Sequence, residues 1–417
     1  MKVYIETFGC SANLNDSEIM AGMLDVVDSP EKADVIIVNT CTVKGRTEDK
    51  VKSFIKRLHS KYPKKKLVIA GCMAEAQSEM LKKLFPKAAL IGPHRISEIQ
   101  DVVDGKIDEA LGYKDYCKLK LPKKSSNPRI AIVQINDGCA NFCTFCITKL
   151  AKPKLVSYPV EMIIDEVLCA VSNGFKEIWL TSQDTGAYGL DRKTNLAKLL
   201  KELLKIKGDF KIRVGMMNPK LILPFLSELI ELYKDEKIYK FLHIPFQAGS
   251  DEVLKKMRRG YGIADFRKIV AEFRKEIPRI TLATDVICGF PGETEQQFKE
   301  SLQLLKEVKP DVLNISKYWP RPGTEAAKMK QVSGAVLKQR ASRMVALFRS
   351  LALEKNKEWV GWKGDVFISE IGKNSTLVGR NFAYKPIILN GNTSFLGSTV
   401  RAEIVSSAVY GLRGRIL

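Results

Sequence analysis

The segment DGCANFCTFC, residues 137–146, places Cys139, Cys143 and Cys146 within eight positions. A disulfide uses two thiols, and a closed zinc or iron–sulfur site usually takes four. Three ligands so near one another, with no fourth in the segment, suit a metal centre that keeps one coordination position open. With CxxxCxxC in a loop, three cysteines hold three irons of a cubane cluster. The fourth iron is then open to the amino and carboxylate groups of S-adenosylmethionine, whose radical chemistry belongs to the cofactor. The alternative is a zinc site that borrows a ligand, and only His59, His94 and His243 offer an imidazole.

Nine cysteines, an odd number, argue against a complete disulfide framework. Clustered thiols in a reducing compartment are more often metal ligands or catalysts. The chain has no apolar run of about 18 residues, the length a membrane helix needs. Its opening MKVYIETFGC reads as a strand carrying an acidic residue, not as a secretory leader. These features predict a soluble, cytoplasmic protein with no membrane partner. The net charge is +21, and residues 105–355 hold 44 lysines and arginines against 29 acidic residues. Such an excess attracts polyanions; the bland alternative is charge that only maintains solubility.

A chain of 417 residues is expected to form two or three domains. KVYIETFGC, ADVIIVNTC and KLVIAGC are short β-branched runs that each end in a cysteine, separated by segments of helical periodicity. The pattern predicts a parallel α/β sheet over residues 1–104 with right-handed crossovers. It puts Cys10, Cys41 and Cys72 just past the carboxyl ends of their strands, the edge where open α/β sheets build sites. The alternative is three buried structural thiols. Residues 105–128 read as a basic linker. From 129 to 354 about six strand–helix units predict a partial (βα)6 barrel, with CxxxCxxC following its first strand on the working face. Residues 355–417 break into short strands separated by Gly and Asn turns, a small β-barrel of a kind that often binds nucleic acid. Cys117 has no partner spacing, and Cys169 and Cys288 read as core thiols.

TFGC, VNTC, AGC, DGCANFCTFC, HIPFQAGS, DVICGFPGET and YWPRPGTEAAKM together resemble the methylthiotransferases of the radical S-adenosylmethionine class. LTSQDTGAYG, RVGMMNPK and ATDVICGFPGET are similar to the archaeal and eukaryotic subgroup that acts on tRNA N6-threonylcarbamoyladenosine. The resemblance runs from residue 1 to the C-terminus. It implies an N-terminal methylthiotransferase domain, a radical barrel and a terminal TRAM-type barrel. It also implies two [4Fe-4S] clusters, held by Cys10, Cys41 and Cys72 and by Cys139, Cys143 and Cys146, with S-adenosylmethionine as methyl donor and radical source.

The implied reaction puts a methylthio group on C2 of the modified adenosine at position 37, in a tRNA anticodon loop. An external one-electron donor and a sulfur donor are the implied partners. The same chemistry on an isopentenylated adenosine, or on an aspartate of a ribosomal protein, is the alternative; a non-catalytic iron–sulfur RNA binder is a third reading. No catalytic residue is assigned beyond the cluster ligands.

Further site residues follow from place and resemblance. Gln183, Asp184 and Thr185 end the second barrel strand, where such barrels contact the amino group of S-adenosylmethionine. Gln247 and Ser250 end the HIPFQAGS strand, and Gly289 to Gly292 form a turn able to approach adenine or ribose. Phe142 and Phe145 are placed to keep water from a cluster. For each of these, ordinary turn or core packing is the competing explanation, and His243 reads as a satisfied core histidine. Lys363, Arg380, Lys385 and Arg401 are the candidate RNA contacts of the terminal barrel.

Overall fold

The computed structural model describes residues 1–42 and 45–417, without the side chains of residues 45–47. Six parallel strands form the first sheet: β1 (Lys2–Thr7), β2 (Asp25–Val26), β3 (Val35–Thr40), β4 (Lys66–Gly71), β5 (Ala89–Ile91) and β6 (Glu109–Ala110), in the order β2-β1-β3-β4-β5-β6. Side chains alternate across a strand, so one sequence feeds two cores. Val35, Ile37, Val68, Ala70, Ala89 and Ile91 pack on one face, while Ile36, Val38, Leu67, Ile69 and Leu90 pack on the other. Both faces being apolar explains the continuous β-branched runs. The sheet extends past residue 104, because β6 lies inside the segment expected to be a linker.

That segment is a packed strap. The Lys118 ammonium is buried and reaches Asp16 Oδ1 at 2.7 Å and Asp137 Oδ2 at 3.4 Å. Lys123 donates to Asn15 Oδ1 at 2.8 Å, and the Ser126 backbone N–H and hydroxyl donate to Glu18 Oε1 at 2.9 and 2.8 Å. Low apolar periodicity suggested a loose connection; the anchoring is polar, and hydropathy does not register it.

The central region carries β7 (Ile130–Gln134), a small pair β8 (Asn136–Asp137) and β9 (Val156–Ser157), then β10 (Glu177–Thr181), β11 (Lys211–Val214), β12 (Phe241–His243), β13 (Thr281–Cys288) and β14 (Val312–Lys317). The parallel sheets β11-β10-β7 and β12-β13-β14 meet through backbone bonds from Ile212 N–H to Lys237 O (2.6 Å) and from Tyr239 N–H to Ile212 O (2.9 Å). The six long strands thus make an open barrel, as the six strand–helix units predict. Cys288 is buried in it, whereas Cys169 is exposed on its helix instead of lying in the core.

The C-terminal strands β15 (Lys363–Ile371), β16 (Leu377–Arg380), β17 (Pro386–Leu389), β18 (Thr399–Ala408) and β19 (Gly411–Ile416) close a barrel in the order β15-β16-β17-β19-β18. It sits at the end of the central barrel where the strands begin. The Lys240 N–H donates to Phe382 O at 2.8 Å, Asn127 Nδ2 donates to Ser369 O at 3.2 Å, and Tyr239 packs edge-on against Tyr384. Lys385, expected on an RNA-binding surface, is buried at this seam, 2.7 Å from Asp311 Oδ1 and 2.9 Å from Asn356 Oδ1. It is a structural tie between the barrels.

Removing one partner from a buried ion cluster leaves an uncompensated charge, at a cost of ~3–5 kcal/mol. Lys118→Met should therefore lower the denaturation midpoint strongly in chemical unfolding. An unchanged midpoint would show that Asp16 and Asp137 do not depend on this lysine.

Candidate active site

Both thiol triplets stand on carboxyl edges of parallel strands. Cys10 follows β1, Cys41 directly follows β3 and Cys72 follows β4, starting the short helix Cys72–Ala76. Cys139, Cys143 and Cys146 follow β7 and β8. The loop that carries them begins at Gly138, whose φ of +72° and contact with the Lys154 carbonyl leave no room for a Cβ. Its N–H donates to Gln183 Oε1 at 2.8 Å, so the end of β10 holds the loop in place.

The two triplets share one interface. Ser11, next to Cys10, bonds Thr181 at the end of β10, Oγ to Oγ1 2.6 Å. The Cys72 helix packs against Thr148–Ala151, which follows Cys146. Beside Cys41, Gln77 Nε2 donates to Thr42 Oγ1 at 2.6 Å and to Glu48 Oε2 at 3.1 Å, and the same Glu48 oxygen accepts from Arg321 Nη1 at 2.5 Å. Arg321 comes from the loop beyond β14, so each N-terminal cysteine has the barrel mouth close by.

Beneath this seam lies a buried knot of charge. Lys118 joins Asp16 to Asp137, Lys152 Nζ meets Asp137 Oδ1 at 2.6 Å, and His94 Nδ1 stands 3.8 Å from Asp137 Oδ2. Burial works to depress the Lys118 ammonium, yet Asp137 and Asp16 outweigh it and its pKa is raised.

The thiols fit an iron–sulfur centre by their donor chemistry. Burial pushes Cys72 up to about 12, with Lys152 opposing and Cys41 and Cys10 adding to the rise. Burial likewise pushes Cys139 up to about 12 and raises Cys143, the latter against the nearby Arg259. Thiols raised that far hold their protons near neutrality, and coordination to a cation is what removes them. Among the described residues no three His, Cys, Asp or Glu side chains converge on a single-ion site. Cubane ligands each take a different iron, so a cluster does not call for convergence on one ion.

The other expected residues divide. Asp184 is buried, accepts from the Asn218 and Gly186 N–H groups at 3.0 and 3.1 Å and from Asn141 Nδ2 at 3.0 Å, and stands 3.8 Å from Cys139 Sγ. Burial raises its pKa to about 6. It braces the cysteine loop. The Thr185 hydroxyl is spent inside the barrel wall on Gly215 O (3.2 Å) and Met216 O (3.0 Å), so it has no donor left for a ligand. Gln247 has φ +62°, uncommon for a residue with a side chain, and its buried Oε1 has no partner among the described residues. Ser250 is buried at the start of the helix Asp251–Lys256. Gly289 turns its N–H onto Glu293 Oε2 at 2.8 Å, and Gly292 has φ +75° in the same turn. Phe145 packs edge-on against Phe290, but Phe142 is 67 % exposed beneath the Lys149 ammonium and shields nothing. His243 is half-buried and bonds Asp285 Oδ2 at 2.8 Å.

Sequence reasoning missed Asn141, Lys152, Arg259 and Arg321. Arg259 Nη1 lies 3.1 Å from Cys143 Sγ, although 116 residues separate them. The quoted YWPRPG carried Arg321, but nothing local marked its charge as useful.

Two family descriptions match: "Uncharacterized protein family UPF0004" over residues 2–92 and "Radical SAM superfamily" over residues 133–305. A "Probable threonylcarbamoyladenosine tRNA methylthiotransferase" of Pyrococcus horikoshii is 41% identical over the whole of both chains. The human "Threonylcarbamoyladenosine tRNA methylthiotransferase" is 39% identical over 99% of this chain and 74% of its own. Among solved structures, the radical S-adenosylmethionine methyltransferase TsrM from Kitasatospora setae superposes with a TM-score of 0.57 at 14% identity, over 78% of this chain and 75% of that one, a likeness of fold. With two cysteine triplets on strand ends at one interface and such identity along its full length, the chain belongs to the family of threonylcarbamoyladenosine tRNA methylthiotransferases.

Proposed function

We propose that the protein methylthiolates C2 of N6-threonylcarbamoyladenosine at position 37 of tRNA. The observation that carries the reading is the meeting of two cysteine triplets at one interface, within a chain whose full-length relatives bear that activity in their names. Cys139, Cys143 and Cys146 would hold one [4Fe-4S] cluster, and Cys10, Cys41 and Cys72 the other. When bound, the barrel cluster and S-adenosylmethionine supply radical chemistry, S-adenosylmethionine also supplies the methyl group, and the second cluster supports sulfur transfer.

The chain's own part is to position and to exclude. Gln183, Asp184 and Asn141 fix the cysteine loop, and the strap and charge knot hold the segments that carry the two triplets at one interface, so that reacting groups would be oriented and water kept out. Gln247, with its strained backbone and unpaired amide oxygen, is the foremost candidate contact to S-adenosylmethionine, with Phe145, Ser250 and the Gly289–Gly292 turn around it. An anticodon-loop base can be unstacked and drawn into such a mouth, as RNA readers favour. The tRNA would be met partly by the terminal barrel, where Lys363, Arg380 and Arg401 stand in ion pairs with Glu403, Glu370 and Asp365 at 3.6–3.7 Å. An external one-electron donor and a sulfur donor complete the reaction. Among the described residues no helix is long and apolar enough to cross a membrane.

Anaerobically reconstituted protein should hold about eight irons, and replacing either triplet with alanines should leave about four. A variant of either kind that still holds eight, or wild-type protein that holds zinc, would overturn the cluster assignment. In cells lacking the protein, nucleoside mass spectrometry of tRNA should show the methylthio form lost and its threonylcarbamoyl precursor accumulating. Restoring the gene with Cys10→Ala should leave that pattern unchanged. Replacing Lys363 and Arg401 together should flatten the dependence of log affinity for tRNA on log salt by about 2 if both neutralise phosphates. An unchanged slope would take the terminal barrel out of the RNA contact.

A further inference from the structure

Two loops at the carboxyl end of the barrel carry aromatic rings that the fold does not bury. Phe142, between the first two cysteines of the barrel triplet, is 67% exposed. The Lys149 ammonium stands over its ring, 4.2 Å from the centroid, and is held there by the Cys139 carbonyl at 2.7 Å. Trp319, on the loop beyond β14, is 48% exposed, while Tyr318 and Arg321 beside it are buried and anchor that loop. The two loops are joined. The Ala326 N–H donates to Thr144 O at 2.9 Å, and Leu150 Cδ1 fills the space that a Cβ on Gly323 would need. Leu150 is itself 46% exposed.

A single exposed apolar ring is ordinary on a protein surface. Here two aromatic rings and a leucine stand exposed on joined loops, at the end of the barrel where the cysteines gather, and a cation caps one ring. Rings with a cation beside them suit a partner that offers both flat faces and negative charge. Unpaired nucleotides offer both, since bases stack on aromatic side chains and phosphates meet lysine. Residues 105–355, which include both loops, hold 44 lysines and arginines against 29 acidic residues, so the long-range field draws a polyanion to this region. An acidic protein surface would answer the charge and leave the rings without flat partners.

We propose that Phe142 and Trp319 are stacking platforms for the unpaired anticodon-loop nucleotides that flank position 37, with Lys149 beside a phosphate. The proposal rests on the tRNA reading above and deepens it by assigning where the loop is held. A base drawn into the barrel mouth leaves its chain neighbours at the rim, where these rings stand. Stacking accepts any base, so the platforms grip the loop without selecting the sequence around position 37. Rings on anchored loops also lose little freedom on binding.

The test is the affinity of full-length, anaerobically reconstituted protein for an anticodon stem-loop RNA that carries threonylcarbamoyladenosine at position 37. Phe142→Leu and Trp319→Leu should each weaken binding about fivefold or more, the loss expected for one base–aromatic stack. Phe142→Tyr and Trp319→Phe keep a ring and should stay near the wild-type affinity. Neither leucine variant should change the slope of log affinity against log salt, because stacking releases no counterions. RNA made abasic on both sides of position 37 should bind the wild type and the leucine variants alike.

Unchanged affinity in both leucine variants would overturn the proposal. So would a loss that persists with the abasic RNA, or one equally large in the variants that keep a ring. Iron loss from Phe142→Leu would assign that ring to the cluster and remove it from the platform. Leucine variants that bind RNA normally, yet are reduced more slowly by a reduced flavodoxin and at the usual rate by dithionite, would give the patch to a protein electron donor instead. Wild-type protein that binds no stem-loop RNA would sink the tRNA reading itself.

Discussion

Four buried charges at the seam between the first sheet and the barrel govern where everything else sits. Lys118 and Lys152 are balanced by Asp16 and Asp137, so the knot is neutral as a whole. Asp16 lies on the helix that follows Cys10, and Asp137 lies two residues before Cys139. One set of ion pairs therefore fixes both thiol-bearing segments to a common point. Replacing such a knot with well-packed apolar residues often costs little net stability, so the knot does not chiefly add strength. A slip in docking would strand an unpaired charge in a dry interior, and that penalty selects one register.

The same geometry gives the molecule two distinct ends. The cysteines gather where the barrel strands finish, and the terminal barrel is fastened where they begin, through Lys385, Phe382 and Ser369. A small basic barrel after a radical domain invites the expectation that its surface charges meet RNA beside the active site. Lys385 instead serves the protein, and Lys363, Arg380 and Arg401 each face an acidic neighbour. The larger positive excess belongs to residues 105–355, so the central region supplies most of the long-range attraction for a polyanion. The terminal barrel stands at the far end, away from the cysteines.

Local pattern made much of this legible in the chain. A strand followed by a cysteine, three times over, was enough to place Cys10, Cys41 and Cys72 on one edge, because parallel sheets bring successive strand ends together. CxxxCxxC after the first barrel strand fixed the other triplet for the same reason. Side chains whose role depends on a partner remote in sequence stayed hidden. Arg259 and Cys143 are 116 residues apart, and Lys118 and Asp16 are 102 apart. Thr185 and Lys385 show the opposite failure: each has the right residue type near the right place, with its polar group already used within the fold. The 105–128 strap was misread because hydropathy counts carbon, and that strap is anchored by lysine and serine.

Burial of the thiols ties fold and chemistry together. A thiolate buried in a dry seam would lack hydration, and burial raises the Cys72 and Cys139 thiols, so these two enter the fold protonated. Loading iron exchanges those protons for metal charge in a scaffold that already stands. Charged neighbours stand close to both sites: Arg259 Nη1 lies 3.1 Å from Cys143 Sγ, and on the other side Arg321 meets Glu48 and Lys152 meets Asp137. Two triplets of the same residue type, on equivalent strand ends, thus stand among different charged neighbours.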